Sequence, residues 1–143
     1  MTVASILSGK GRDVVTAGTN TPLSTIVGTL AARGIGAIVI TEDNGGVCGI
    51  ISERDVVREL AENGVEMLDQ PVSVCMTRKV LSCGENDTIN QVMTIMTEHR
   101  FRHLPVITGG RLAGIISIGD VVKRRMEQIE RDAEELRNYI ATA

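Results

Sequence analysis

The stretch GIISERDVV at residues 49–57 returns as GIISIGDVV at residues 114–122, 65 positions further along the chain. The segments before it correspond as well: GAIVIT at 36–41 falls on RHLPVI at 102–107, with a difference of one residue in loop length. Apolar positions and turn residues coincide over most of the 143 residues. This pattern indicates an internal duplication, and the duplication decides the fold.

Each copy predicts the same order of elements, which is strand, helix, strand, strand, helix. Apolar residues at helical spacing predict a helix over about residues 22–34 and again over about 88–100. The predicted strands are 13–17, 36–41 and 47–52 in the first copy and 79–83, 103–108 and 111–117 in the second. One copy alone buries too little surface for a stable domain. We therefore expect an α/β (α+β) fold of two β-α-β-β-α units, residues 1–68 and 69–143, packed sheet against sheet.

The repeated phrase contains a Ser-x-x-Asp motif that has two interpretations. Ser52 and Ser117 suit helix N-caps, and Asp55 and Asp120 follow at capping-box spacing, so two helix starts explain the motif. The same geometry also suits a nucleotide. The N–H groups at a helix N-terminus attract phosphate, and a carboxylate one turn later can accept both hydroxyls of a ribose. A glycine before the two apolar residues would then let a planar base approach the strand.

Composition and charge exclude several classes of protein. The formal net charge of −3 gives no basic surface for a phosphate backbone, so we expect no nucleic-acid partner. No apolar run reaches the length of a membrane span, and the N-terminus lacks a secretory apolar core. We therefore expect no membrane partner and a cytoplasmic location. The three cysteines form no CxxC pair and predict neither a disulfide framework nor a metal site.

With these motifs the chain resembles a pair of cystathionine-β-synthase-type (CBS) domains, also called a Bateman module. The most specific match is FRHLPVI at 101–107 followed by GRLAGIISIGDVVK at 110–123. The resemblance implies regulatory binding of an adenosine derivative in clefts between the two copies. AMP, ADP, ATP or NAD(H) would be the ligand, S-adenosylmethionine is less favoured, and no catalytic cofactor is implied.

The resemblance implies a first nucleotide site, which we rank higher, around Ser117 and Asp120. Arg102 and His103 would face the phosphates, although His103 is also explained as a residue that caps its hairpin. Lys10 is near enough in sequence to contribute. The remaining members are Ile115 beside the base and, from the first copy, Val15, Ile35 and Gly36.

The resemblance implies a second site around Ser52 and Asp55. Because the first copy has Gly36 and Ala37 where the second has arginine and histidine, phosphate binding would depend here on Arg54 and the helix N-terminus. The other members are Ile50 and, from the second copy, Thr77, Leu81 and Phe101. The Phe101 ring either stacks on adenine or fills the core.

The last helix, predicted over about residues 119–141, carries an apolar heptad seam. Its members are Val122, Met126, Ile129, Ala133, Leu136 and Ile140. The seam either packs back on its own subunit or joins two copies. We favour a two-fold symmetric homodimer, which the resemblance also implies.

The sequence carries no nucleophile elbow, zinc-protease or P-loop motif, so we expect no enzyme. The main hypothesis is a regulatory module that senses adenosine nucleotides, and so the energy state of the cell, and modulates a separate target protein in trans. A ligand-free homodimeric scaffold is the alternative. A small enzyme or a redox switch is a third possibility.

Overall fold

The structure of the protein is a computed structural model that describes residues 1–142. Residue 143, the last of the predicted second unit, lies outside the described residues. The elements are α1 (Val3–Lys10), β1 (Thr16–Gly18), α2 (Leu23–Arg33), β2 (Ala37–Thr41), β3 (Val47–Ser52), α3 (Glu53–Asn63), α4 (Ile89–His99), β4 (His103–Thr108), β5 (Arg111–Ser117) and α5 (Ile118–Thr142). Two short 3-10 helices, Val65–Asp69 and Val72–Val74, connect the copies.

The predicted mixed α/β fold with a repeated helix–hairpin–helix unit is confirmed. In the first copy β1 pairs with β2 in parallel and β2 pairs with β3 antiparallel, which gives a three-stranded sheet. In the second copy β4 and β5 form an antiparallel pair. The two hairpins span the predicted ranges to within one residue.

The predicted strand over 79–83 does not form, and Cys83 makes only an isolated bridge to Val106. In the first copy the Val39 N–H donates to the Val15 carbonyl at 3.3 Å and so joins β1 to β2. The counterpart of Val39 is Pro105, which has no N–H to donate. The second sheet therefore has two strands where the first has three.

Two apolar cores lie within the two copies, one in each. The first core contains Leu23, Ile26 and Leu30 of α2, Ile38 and Ile40 of β2, Ile51 of β3 and Val56 of α3. The second contains the corresponding Ile89, Val92 and Met96 of α4, Leu104 and Val106 of β4, Ile116 of β5 and Val121 of α5. The spacing of these residues matches a helix face or one side of a strand, which is why the sequence predicted the elements.

The opposite faces of the two hairpins are also buried. Val39 is fully buried although it points away from Ile38 and Ile40, and Pro105 is buried in the same way between Leu104 and Val106. Side chains alternate across a strand, so a second layer must cover this face. The predicted packing of sheet against sheet accounts for the burial.

The two copies exchange short segments. Helix α1, which the sequence analysis missed, packs against β5 and α5, and its Val3, Ile6 and Leu7 belong to the second core. In return, Val72 and Met76 lie at the start of the second unit in sequence but belong to the first core. Matching backbone bridges hold the two segments, Thr2 to Thr88 and Pro71 to Pro22. Each core is thus completed by a segment that lies next to the other copy in sequence.

Helix α5 spans Ile118–Thr142, within one residue of the predicted range at each end. None of the helices within residues 1–142 has an apolar stretch long enough to cross a membrane.

Candidate functional site

Both copies of the Ser-x-x-Asp motif cap a helix. The Ser52 hydroxyl accepts a hydrogen bond from the Asp55 N–H at 3.2 Å, and the Asp55 carboxylate accepts one from the Ser52 N–H at 2.9 Å. Ser117 and Asp120 repeat the two bonds at 3.1 and 2.9 Å. A cap of this kind contributes about 0.5–2 kcal/mol. In both aspartates the cap uses Oδ2, which leaves Oδ1 for other donors.

The glycines of the repeated phrase lie against protein side chains. A side chain at Gly114 would meet Cδ2 of Leu7 at 2.7 Å, and one at Gly49 would meet the Met76 side chain. Leu7 and Met76 belong to the exchanged segments, and both are buried. The space on the side-chain side of these glycines is therefore filled by protein, and the approach of a planar base to the strand backbone stays a prediction. These glycines admit the segment that completes the core.

A cavity of about 320 Å³ lies beside Asp55, at the junction of the two copies, and is called the Asp55 cleft below. Small-molecule sites typically enclose about 300–1,000 Å³, so the volume suits a ligand of modest size. Its lining residues are Gly36, Ile50, Ser52, Glu53, Arg54, Asp55 and Arg58 from the first copy and Thr77, His99, Arg100, Phe101, Arg102 and His103 from the second. Both copies therefore shape one cleft.

The Asp55 cleft has an excess of positive charge, although the whole chain is acidic. Four arginines line it, against the two carboxylates of Glu53 and Asp55. Nη2 of Arg58 donates to Oδ1 of Asp55 at 2.7 Å, and the arginine side chain is 57% exposed. An exposed pair of this kind contributes about 0–1 kcal/mol, so a ligand with better partners displaces the arginine at low cost.

Arg100 lines the cleft in a left-handed backbone conformation, with φ at 58°. It ends α4, whereas the counterpart that ends α2 is Gly34, with φ at 61°. A residue with a side chain costs about 1–2 kcal/mol in this conformation, while glycine adopts it freely. An arginine at this position points to a role for its side chain, because its backbone favours glycine.

His103 lies across from Gly36, where a side chain would meet its Nε2 at 3.0 Å. Burial, the largest influence, lowers the pKa of His103. The charges of Lys10 and Arg102 also lower this pKa, while those of Glu53 and Asp120 act against the shift. The imidazole is therefore neutral at pH 7 and offers one N–H donor and one acceptor.

The Asp120 carboxylate already holds a protein cation. Nζ of Lys10 donates to Oδ2 of Asp120 at 2.7 Å and to the Ile115 carbonyl at 3.0 Å. Burial acts to raise the pKa of Asp120, but the Lys10 ammonium and the Ser117 donors outweigh it and hold this pKa below its usual value. A cavity of about 140 Å³ adjoins the pair, between α1 and α5. The group of Lys10, Ile115, Ser117 and Asp120 is called the Asp120 cluster below.

The residues of the predicted second site mostly lie together. Ile50, Ser52, Arg54, Asp55, Thr77 and Phe101 line the Asp55 cleft. Leu81 does not, because it packs against the second core. The Phe101 ring also packs on that core and stacks on the His99 ring, with centroids 6.4 Å apart.

The residues of the predicted first site are divided between several places. Gly36, Arg102 and His103 line the Asp55 cleft, although His103 also pairs with Ser117 on β5 and is close enough to Asp120 to be influenced by its charge. Lys10, Ile115, Ser117 and Asp120 form the Asp120 cluster. Val15 and Ile35 pack against the first core. The charged side chains of the second copy thus lie beside Asp55, and the larger cavity is there as well.

Four residues of the Asp55 cleft were missed in the sequence: Glu53, Arg58, His99 and Arg100. The duplication contains the signal for one of them, since Gly34 to Ala37 in the first copy corresponds to Arg100 to His103 in the second. Four small or apolar residues are replaced there by two arginines, a phenylalanine and a histidine. The concentration of charge in one copy indicates that the surroundings of Asp55 and Asp120 differ.

The chain belongs to the CBS-domain family, whose profile matches residues 6–62 and 72–127. Among solved structures it is similar to the CBS-domain-containing protein ATU1752 from Agrobacterium tumefaciens, with 53% identity, a TM-score of 0.85, and coverage of 87% of this chain and 92% of that one. A 17.7 kDa protein of Acidianus ambivalens is 33% identical over 72% of this chain. The chain spans 64% of the length of that relative.

A second similar structure was solved with ligands. The CBS domain pair of protein MJ0100, in complex with 5′-methylthioadenosine and S-adenosyl-L-methionine, has a TM-score of 0.80 over 90% of this chain and 98% of its own. Its sequence identity is 23%, so this likeness concerns the fold alone.

Proposed function

We propose that the chain is a regulatory module that binds an adenosine nucleotide in the Asp55 cleft. The observation that carries the proposal is the arrangement around Asp55. A carboxylate at a helix N-terminus lies in a cavity of about 320 Å³ that both copies line and that contains four arginines. The carboxylate suits the ribose hydroxyls, and the arginines and the helix N-terminus suit phosphate.

The charge of the cleft favours a ligand with phosphates. The MJ0100 pair was solved with 5′-methylthioadenosine, which is uncharged, and with S-adenosyl-L-methionine, which carries a sulfonium. Four arginines against two carboxylates oppose a cationic group here and favour AMP, ADP, ATP or NAD(H). Among these ligands, affinity should rise with the number of phosphates, because each added phosphate gains arginine contacts.

One strong site per chain follows from the difference between the two aspartates. In the Asp120 cluster the Lys10 ammonium holds two acceptors at once, Oδ2 of Asp120 and the neighbouring Ile115 carbonyl, and its positive charge lies where a ribose or base would need to bind. In the Asp55 cleft the competing group is the exposed Arg58, held by a single pair. The ligand therefore enters the Asp55 cleft first.

Binding would act on a target protein in trans. Because the cleft is lined by both copies, a ligand that prefers one relative pose of the copies shifts the population toward that pose. The module acts in this way by binding and not by catalysis, as a homodimer in the cytoplasm. The target is a separate protein that responds to the favoured pose.

The test is calorimetric titration with adenosine, AMP, ADP, ATP, NADH, 5′-methylthioadenosine and S-adenosylmethionine. We expect affinity to increase from adenosine to ATP and to fall with added salt. Arg54→Ala and Arg102→Ala should each weaken ATP binding. Arg33→Ala, which removes an exposed arginine at the end of α2 outside the cleft, is the matched control. Equal affinity for adenosine and ATP would contradict the phosphate assignment.

A ligand-free scaffold is the second candidate. It is favoured by one observation: both aspartates already have cationic partners within the chain, Arg58 and Lys10. A scaffold predicts that none of the seven compounds changes the unfolding temperature. A ligand at 100 times its Kd would instead stabilise the fold by about 2.7 kcal/mol, a shift that is easily measured.

A further inference from the structure

The second half of α5 extends away from the rest of the subunit. Every residue from Ile129 to Thr142 is exposed, so nothing in the described chain covers this stretch. An isolated helix of this length is marginal in water, and its stability normally comes from packing. The exposed half of α5 therefore needs a partner surface.

The apolar seam of α5 lies on the side of the helix that faces away from its own subunit. Its large members Val122, Met126, Ile129, Leu136 and Ile140 are 45% to 66% exposed. The side that contacts the subunit carries Val121, which is buried, and Arg124 and Gln128, which are half-buried. These three residues occupy the outer positions of the heptad, opposite the seam. The seam is therefore not packed back on its own subunit and is open to another chain.

The charged residues beside the seam determine the orientation of a helix pair. With Met126 and Ala133 at heptad position a and Ile129 and Leu136 at position d, the flanking positions g are Arg125 and Asp132. The flanking positions e are Lys123, Glu130 and Arg137. In a parallel pair each g residue faces the following e residue of the other helix. Arg125 then faces Glu130 of the second copy, and Asp132 faces its Arg137, and symmetry repeats both attractive pairs.

An antiparallel pair brings like charges together. In an antiparallel coiled coil, residues at position a of one helix pack beside residues at position d of the other. This arrangement places position e opposite position e and position g opposite position g. Lys123 would face Arg137 of the second copy, Glu130 would face Glu130, and Asp132 would face Asp132. Within residues 1–142, Arg125, Glu130 and Arg137 form no ion pair, so all three side chains are available to pair with charges of a second copy.

We propose that α5 pairs in parallel with α5 of a second copy, with the two-fold axis along the helices. This inference rests on the self-association that forms part of the proposed function and adds the surface and its orientation. The seam supplies the buried contact, and the Arg125–Glu130 and Asp132–Arg137 pairs select the parallel arrangement.

Cysteine cross-linking of the full-length chain tests the orientation. Ala133→Cys replaces a small exposed residue at position a, so two such substituted positions lie opposite each other only in the parallel pair. Arg131→Cys, on the outer side of the same helix, is the matched control, and wild type reports on the native cysteines. We expect a disulfide-linked dimer from the Ala133→Cys variant on oxidation and none from the control. A mixture of Ile129→Cys and Ala133→Cys that forms mainly the mixed cross-link would show the antiparallel pair and overturn the proposal.

Charge exchange gives a second, independent readout by sedimentation or light scattering. Arg125→Glu or Glu130→Arg alone should weaken self-association by about tenfold, and the two together should restore it. Single variants with unchanged association, or a double variant that remains weak, would overturn the parallel arrangement. A wild-type chain that stays monomeric would reject the proposed homodimer as well, while a dimer whose Ala133→Cys variant forms no cross-link rejects only this inference.

Discussion

Removal of the Lys10 ammonium should open a second binding site at Asp120. In the structure the ammonium makes two contacts, at 2.7 Å to Asp120 and at 3.0 Å to the Ile115 carbonyl. The ion pair is partly exposed and contributes about 0.2–1 kcal/mol, and the carbonyl hydrogen bond contributes about 0.5–1.5 kcal/mol. A ligand that uses Oδ2 of Asp120 and the Ile115 carbonyl must displace both contacts, at a cost of about 1–2 kcal/mol. We therefore expect Lys10→Met to tighten binding at this site by about 5- to 30-fold.

The assay is calorimetric titration with ATP. Wild type should show one strong event per chain, assigned to the Asp55 cleft, and Lys10→Met should show a second event that Asp120→Asn removes. Lys79→Met is the matched control, because Lys79 is an exposed lysine in the corresponding stretch of the second copy. If Lys10→Met instead weakens binding, Lys10 contributes to the ligand site, as the sequence analysis allowed, and the ammonium does not close the Asp120 site. Two binding events of equal affinity in wild type would also refute the prediction that Lys10 closes the Asp120 site.

Three further predictions concern the stability of the fold and the charges of the cleft. Gly114→Ala should lower the free energy of unfolding in urea by about 1–3 kcal/mol, because the new methyl group meets Leu7, which is 1% exposed. Gly28→Ala, in an open part of α2, should raise it by about 0.4–1 kcal/mol, and equal effects of the two variants would contradict the packing argument. Arg100→Gly should raise the free energy of unfolding by about 1 kcal/mol, because glycine adopts the left-handed conformation freely. The same variant should weaken ATP binding in the calorimetric titration. A gain in stability with unchanged ATP binding would remove Arg100 from the site. The lowered pKa of His103 means that the unfolded chain takes up a proton first as the pH falls. Unfolding measured from pH 7 to 5 should therefore show a loss of stability that is smaller in His103→Asn, and identical slopes would contradict the assignment.

The local elements were predictable because each is encoded in a short stretch. Helix α2 and the β4–β5 hairpin follow from apolar spacing and from turns that contain glycine. The missing strand at 79–83 depends on the absent N–H of Pro105, which the sequence KVLSC of the predicted strand does not reveal. Helix α1 carries a usable signal in Val3, Ile6 and Leu7, at helical spacing, but its apolar partners lie in the second copy, far along the chain.

The assignment of residues to clefts depends on how the two copies face each other. Arg102 and His103 follow α4 in the second copy, and the sequence groups them with Asp120 of that copy alone. Their neighbour in space is Gly36 and the start of α3, across the junction. The alternation of apolar residues along a strand predicts which side chains share a face. It does not predict how the two sheets are placed relative to each other, because that depends on the packing of the whole chain.

The exchange of segments between the cores makes the duplication indivisible. A fragment that ended at residue 68 would lack Val72 and Met76 of its own core and would expose the apolar side of α1. A fragment that began at residue 69 would lack the α1 residues of its own core and would expose Val72 and Met76. Gene fission between the copies, or recombination that brings in only one of them, would therefore leave each core incomplete and expose apolar side chains to water. The repeats descend from one ancestor but must now be inherited, synthesised and unfolded as a single piece.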